Sequence, residues 1–298
     1  MFRSHSLKDF AYACPVTIED AVAAMQADGA RALAGGTDLI PQLREGRRQV
    51  AQVVDLKRVP GLVGIATRAD GSLVLGAAAS ASSIARHAAV ASAYPAIAGS
   101  ARLIGSLQVQ NRASLGGNIC NAAPSADAVP ALICHQARAR IAGPGGEREE
   151  PLETFIRGPG KTSLGQGELL VSIALPPAAP RSAANYLRFT PRREMDIAIA
   201  GAAAWIRLGA DGRIAEARIV LASVGPKPIR ATSAERKLLG EPPTSALFEA
   251  AGKLAAADAQ PISDTRGSAD YRRSLTAVLT ARALADCCAA TPIQQALA

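Results

Sequence analysis

Two short glycine-bearing segments carry the residue types best suited to chemistry in this chain. The first reads Ala34-Gly35-Gly36-Thr37-Asp38-Leu39. Paired glycines after an apolar run let the backbone approach a bulky anion, because no Cβ intervenes and positive φ is open to them. Free N–H groups at a following helix start would face that anion, and Thr37 adds a hydroxyl donor. The second reads Ser114-Leu115-Gly116-Gly117-Asn118, followed by Pro124-Ser125-Ala126-Asp127. Ser114 and Asn118 flank its glycines as side-chain donors, and Asp127 can accept from a sugar hydroxyl. One Gly-Gly pair is a common tight turn. Two pairs 80 residues apart (Gly36 to Gly116), each with small polar neighbours, suit a dinucleotide held from both sides at its phosphates and its sugar or ribitol.

The elements around these segments can be read from periodicity and punctuation. Residues 17–29 form a helix, with Thr17 as cap, Glu19 and Asp20 in its first turn and Gly29 as stop. Residues 30–34 form a short strand that runs into the first glycine pair. A second helix spans 37–43 and a further strand 50–56. The result is a β–loop–α–β layout with glycines at the strand exit. A strand follows at 72–76, helices at 82–87 and 96–104, and an extended polar stretch at 108–113. Residues 127–134 read as a helix or a buried strand, and 143–150 as a turn between strands. The strand 169–175 ends at Pro176-Pro177, and the Pro/Ala stretch 176–180 marks a domain boundary. Beyond it, 186–190, 197–208 and 214–224 form three antiparallel strands, the last two joined by a hairpin turn at Asp211-Gly212. From 233 onward the chain is helical, most clearly over 245–257 and 271–290. No internal repeat is visible.

Composition narrows the class. The chain has 298 residues, enough for about two domains. At 49% hydrophobic and 19% charged it can bury real cores, and with 3% aromatics those cores must be mostly Ala, Val, Leu and Ile. The net charge is +8, but only six of the 33 basic residues are Lys and the arginines are scattered. With no basic run and no interleaved aromatics, the charge does not point to nucleic acid. The five cysteines (Cys14, Cys120, Cys134, Cys287, Cys288) include no C-x-x-C and no iron–sulfur ligand run. Cys287 and Cys288 read as small buried hydrophobes in an Ala-rich helix. Residues 1–15 carry Arg3, Lys8 and Asp9 and lack an apolar core, so they do not read as a signal peptide. No run of 18 apolar residues suggests a membrane span. The expected location is the cytoplasm.

Other candidates are weaker. Gly158-Pro159-Gly160-Lys161-Thr162 ends like a phosphate-binding P-loop, but Phe155 stands where that motif needs its first glycine, so a surface loop is expected. His5, His87 and His135 lack metal-ligand spacing, and no metal site is expected. No G-x-S-x-G or Ser-His-Asp set is present, and no residue of this chain is assigned a catalytic role.

Three segments together resemble a known family. They are the first glycine motif, the run from Asn111 through Gly116-Gly117-Asn118 to Asp127, and Leu187-Arg188-Phe189 with Pro191-Arg192-Arg193-Glu194-Met195-Asp196-Ile197-Ala198. In this order and over nearly the whole chain, they resemble the FAD-binding medium subunit of the molybdenum hydroxylases, the xanthine dehydrogenase and carbon monoxide dehydrogenase family. The resemblance implies an α+β fold. A PCMH-type FAD-binding domain of two α/β subdomains would occupy 1–177, split near 57. A C-terminal domain with a three-stranded antiparallel sheet and a helical bundle would occupy 178–298.

It also implies that Arg31, Leu33, Ala34, Gly35, Gly36, Thr37 and Asp38 lie on the first FAD loop. Ser114, Gly116, Gly117, Asn118 and Asp127 would hold the diphosphate and sugar, with Ile104 near the flavin. Leu170 and Arg188 would line the cofactor; relatives often carry Lys at the latter position. Tyr186 is a candidate shield for the isoalloxazine. Arg192, Arg193 and Asp196 read equally as a structural ion-pair cluster or as a group near the flavin. The family implies partners: a small subunit with two [2Fe–2S] clusters and a large molybdopterin subunit, in a dimer of heterotrimers that passes electrons through FAD to an external acceptor. Alternatives are the flavin subunit of a benzoyl-CoA-type reductase, which would carry a Cys-rich insertion not visible here, a stand-alone FAD-dependent oxidase, and a non-enzymatic anion-binding module.

Overall fold

The computed structural model describes residues 8–291; Arg3 and His5 lie outside them. The chain opens with β1 (Ala11–Ala13), α1 (Ile18–Met25), β2 (Ala30–Leu33), α2 (Leu39–Arg44) and β3 (Gln52–Asp55). The three strands pair in parallel in the order β1-β3-β2. Thr17 caps α1 as read, its side chain accepting from the Asp20 N–H at 3.0 Å. Ala21 and Val22 of α1 pack on Ala30 and Val54, and the same small core takes in Leu169 and Val171 of a later strand.

The next unit runs β4 (Ile65–Thr67), β5 (Leu73–Gly76), α3 (Ala81–Arg86), α4 (Ala88–Ala93), α5 (Pro95–Arg102), α6 (Leu107–Gln110), α7 (Leu115–Asn121), α8 (Ala128–Cys134), β6 (Arg138–Gly143), β7 (Gly146–Pro151), α9 (Leu152–Phe155), β8 (Ile156–Gly158), β9 (Lys161–Thr162) and β10 (Leu169–Leu175). Five of these strands form an antiparallel sheet in the order β4-β5-β10-β6-β7. The stretch expected to be extended at 108–113 is helical over Leu107–Gln110. The alternation Leu107-Gln108-Val109-Gln110 imitates a strand, but Ser106 accepts from the Val109 N–H and starts a turn. Residues 127–134 settle as helix α8, every residue of which is buried, so no polar face marked its period. Glu147–Glu150, read as part of a turn, lie in β7, and the turn itself is only Pro144-Gly145. The P-loop-like segment is the tip of the β8–β9 hairpin, with Gly160 at φ 66°.

The C-terminal part contains β11 (Ser182–Phe189), β12 (Ala200–Leu208), β13 (Ile214–Ala222), β14 (Ile229–Arg230), α10 (Thr232–Leu238), α11 (Ser245–Asp258) and α12 (Ala269–Ala290). The three long strands form the antiparallel sheet read from the sequence, and β14 adds a two-residue edge. The β12–β13 hairpin turns at Asp211-Gly212, with Gly212 at φ 76°. Strand β12 is buried on both faces. Ala200, Ala202, Ala204, Ile206 and Leu208 pack towards α11 and α12. Ala203 and Trp205 join the core of the five-stranded unit. Alanines let this strand sit between two layers of helices.

Candidate functional site

The first glycine motif leaves β2 at its C-terminal end, where ligands collect in open α/β sheets. Gly36 sits at φ 75°, a conformation that favours glycine. None of the backbone N–H groups from Gly35 to Leu39 has a hydrogen-bond acceptor among the described residues, and the ladder resumes with Ile40 N–H to the Gly36 carbonyl at 3.0 Å. Five successive amides without an internal partner at a strand exit are donors left available to an anion. Leu33 and Thr37 are half-buried beside it, while Asp38 is exposed. Arg31 is exposed, and its guanidinium donates to the Ala30 carbonyl at 2.9 Å.

The second motif is built differently. Ser114 caps α7, accepting from the Gly117 N–H at 3.0 Å. The Gly116 N–H donates to the Ala77 carbonyl at 3.1 Å, and a Cβ on Gly116 would stand 2.3 Å from that oxygen. Gly116 is therefore fixed by the close approach of α7 to the exit of β5. Gly117 is exposed, and a Cβ there would meet only Ser114 Oγ, at 3.0 Å. Asn118 Oδ1 is buried without a hydrogen-bond partner, a cost that a bound donor would relieve. The two motifs touch: a Cβ on Gly35 would lie 1.9 Å from the Arg112 carbonyl oxygen and 2.9 Å from Ala113 Cα.

Asp127 stands at the start of α8, inside a buried network. Tyr186 Oη donates to its Oδ1 at 3.0 Å, and Arg188 Nη1 donates to its Oδ2 at 2.5 Å. Burial pushes the Asp127 carboxyl up to about 6, against the lowering effect of Arg188 and Tyr186. Burial likewise raises Tyr186 well above its ordinary value. Tyr186 is enclosed with its hydroxyl on Asp127, so it is not presented as a shield over a ligand.

Arg188 also lines a cleft of about 350 Å³ with Arg86, Arg102, Leu103, Gly105 and Arg193. Ile104 lies between two of these lining residues. The loop after β11 crosses this cleft, its Met195 N–H reaching the Gly105 carbonyl at 3.5 Å. The two readings of the third motif divide between its residues. Arg192 N–H donates to Asp196 Oδ2 at 2.9 Å and organises the loop, while Arg193 faces the cleft. Leu170 is buried in the main core, next to a β-bulge in β10. Arg86 and Arg102 were not found from the sequence, because an arginine on a helix surface carries no mark of its fate. Among the described residues, no group of His, Cys, Asp or Glu is arranged to hold a metal, and no helix is long and apolar enough to cross a membrane.

A parallel unit and an antiparallel unit joined through two glycine motifs, one with a row of free amides, define a dinucleotide-cofactor protein with an appended sheet-and-helix domain. Residues 8–178 match the FAD binding domain in molybdopterin dehydrogenase, and residues 185–287 match the CO dehydrogenase flavoprotein C-terminal domain. The chain belongs to the FAD-binding medium-subunit family of the molybdenum hydroxylases, and is thus an oxidoreductase subunit with FAD as its cofactor. It is 33% identical to the xanthine dehydrogenase FAD-binding subunit of Escherichia coli O157:H7, over 95% of this chain and 97% of that one. It is 32% identical to the carbon monoxide dehydrogenase medium chain of Hydrogenophaga pseudoflava, over 92% and 96%. A solved structure of carbon monoxide dehydrogenase from the latter organism, lacking the Mo-pyranopterin moiety, superposes with a TM-score of 0.91 at 31% identity, covering 96% of this chain and 99% of that one. Quinoline 2-oxidoreductase from Pseudomonas putida 86 gives 0.89 at 28% identity, over 95% and 98%.

Proposed function

We propose that this chain holds FAD across the contact between its two glycine motifs and serves as the electron-transfer subunit of a cytoplasmic molybdenum enzyme. Electrons formed on a large molybdopterin subunit pass through two [2Fe–2S] clusters on a small subunit, reach this chain, and leave to an external acceptor. Two such heterotrimers associate. The carrying observation is the row of unpartnered amides from Gly35 to Leu39, pressed against the second motif at Arg112. The buried, unpartnered Asn118 Oδ1 and the open side of Gly117 fit the same ligand.

In this reading the Gly35–Leu39 amides and Thr37 hold the diphosphate. Arg31, Leu33, Ala34 and Asp38 shape the strand exit around them. Ser114, Gly117 and Asn118 close the other side, and Gly116 brings α7 near enough to do so. Ile104 and Leu170 give apolar contact, and Arg188 presents a buried cation, held in place by Asp127, at the cleft. Bound FAD supplies the capacity to take up electrons and release them to a second carrier; the protein binds it, orients it and sets the charge around it. For this work the chain divides at 177/178, with an inner division near 57, as supported by Pro176-Pro177 after β10 and by the end of the parallel sheet at Asp55.

The visible spectrum of the purified chain, with analysis of the cofactor released on denaturation, tests the reading. Oxidised-flavin bands and intact FAD are expected, with the small and large subunits co-purifying from cells that express all three. A folded chain that binds no added FAD, alone or with its partners, would overturn it.

A further inference from the structure

At the C-terminal edge of the parallel sheet, each strand contributes one link to a hydrogen-bonded chain. Tyr12 of β1 donates from Oη to Asp55 Oδ2 at 2.6 Å. Asp55, the last residue of β3, accepts at Oδ1 from Lys57 Nζ at 2.6 Å and from the Lys57 N–H at 3.0 Å. Lys57 Nζ then donates to the Ala34 carbonyl at 3.0 Å, where β2 runs into the first glycine motif.

We infer that Lys57 is a positioning residue for FAD, acting through the Ala34 carbonyl. The inference rests on the FAD reading given above. In a planar trans peptide the carbonyl and the next N–H point in opposite directions. No peptide bond among the described residues is cis. Holding the Ala34 carbonyl towards Lys57 therefore turns the Gly35 N–H away from it, and that N–H is the first of the five amides without an acceptor. Glycines lose the most conformational freedom on ordering. A lysine that fixes the entry to Gly35-Gly36 prepares the amides before the ligand arrives, which cuts the entropic cost of binding. Lys57 itself is prepared by Asp55, and Asp55 by Tyr12. Two of the three ammonium hydrogens are used in these bonds, and the side chain is 32% exposed, so the charge also remains open to an approaching anion.

The full chain is stripped of FAD, and its dissociation constant is measured by flavin fluorescence for the wild type and for Lys57→Met, Lys57→Arg and Tyr12→Phe. The melting temperature of each FAD-free chain is recorded alongside. Lys57→Met is expected to weaken FAD binding about tenfold, the loss of one charge-assisted hydrogen bond, measured well below the FAD-free melting temperature, which should fall because the buried Asp55 carboxylate loses its cation. Lys57→Arg should recover most of the affinity, and Tyr12→Phe should lose less than Lys57→Met. A Lys57→Met chain that binds FAD like the wild type, that is unfolded without FAD, or that Arg does not rescue overturns the inference. A wild-type chain that binds no FAD overturns the functional reading instead.

Discussion

Gly35 lies against the carbonyl of Arg112, so near that a methyl group on it would stand 1.9 Å from the oxygen. The glycine thus meets two demands at once. It lets the parallel unit dock on the antiparallel one, and it opens the row of amides offered to the cofactor. Gly116 serves packing alone, letting α7 sit against Ala77 inside the antiparallel unit, and Gly117 leaves the exposed side of α7 open.

Single substitutions should separate these demands. Gly35→Ala and Gly116→Ala force backbone apart and are expected to cost about 1–3 kcal/mol each, read as a lower urea midpoint. Gly117→Val adds bulk on the exposed side of α7, so the midpoint should hold while FAD affinity drops at least tenfold. Replacing Gly116 and Gly117 together would mix the two effects. A Gly117→Val chain with normal FAD content would remove the second motif from the cofactor site.

The Asp127–Arg188 pair should behave as a buried ion pair. Arg188→Met strands a carboxylate in the interior and is expected to cost about 3–5 kcal/mol. Adding Asp127→Leu should recover a large part of that loss, because no charge is then left unpaired. Urea denaturation of both singles and the double gives the coupling; additive losses would contradict the pairing seen here.

Two buried groups give the stability of the chain opposing slopes with pH. Burial, with Arg218 nearby, lowers His135 to about 4 from 6.5. Its contribution is therefore full above about pH 6.5 and lost as pH falls towards 4. Asp127 is raised to about 6 from 3.8, so its contribution is full below about pH 4 and lost as pH rises through 6. Each can amount to at most about 3 kcal/mol. His135→Phe should make the chain relatively more stable at pH 4.5 than at pH 7.5, compared with the wild type, and Asp127→Asn relatively less. Midpoints that shift equally at both pH values would show that neither group titrates as described.

Burial also protects two thiols. Cys134 and Cys287 are fully enclosed, and burial raises both. A thiol reagent added to the folded chain at pH 8 should modify no more than three of the five cysteines. A fourth reacting before denaturation would mean that the interior around α8 or α12 opens easily.

Local chemistry made much of this fold readable. Thr17, the glycine pair after β2, Pro176-Pro177 and Asp211-Gly212 each act through their own backbone or cap, and the boundaries they mark lie where the sequence places them; the far end of α1, read at Gly29, instead falls at Met25. The stretch 108–113 misled because Leu107 and Val109 repeat at the spacing of a strand, while the deciding hydroxyl, that of Ser106, sits just outside the run. The site divides in the same way. Both glycine motifs could be found by eye, but which amides were already engaged depended on Ala77, a residue in no motif. The pairing of Asp127 with Arg188 spans 61 positions, and Lys57 gains its meaning only when three strand ends are brought side by side.

Because β12 turns alternate side chains into two different interiors, it works as a party wall between neighbouring rooms. Cutting the chain in the exposed Pro/Ala segment before β11 should sever the polypeptide without parting the two pieces. Either piece made alone would carry one side of that wall bare, and would be expected to clump until its other half was supplied.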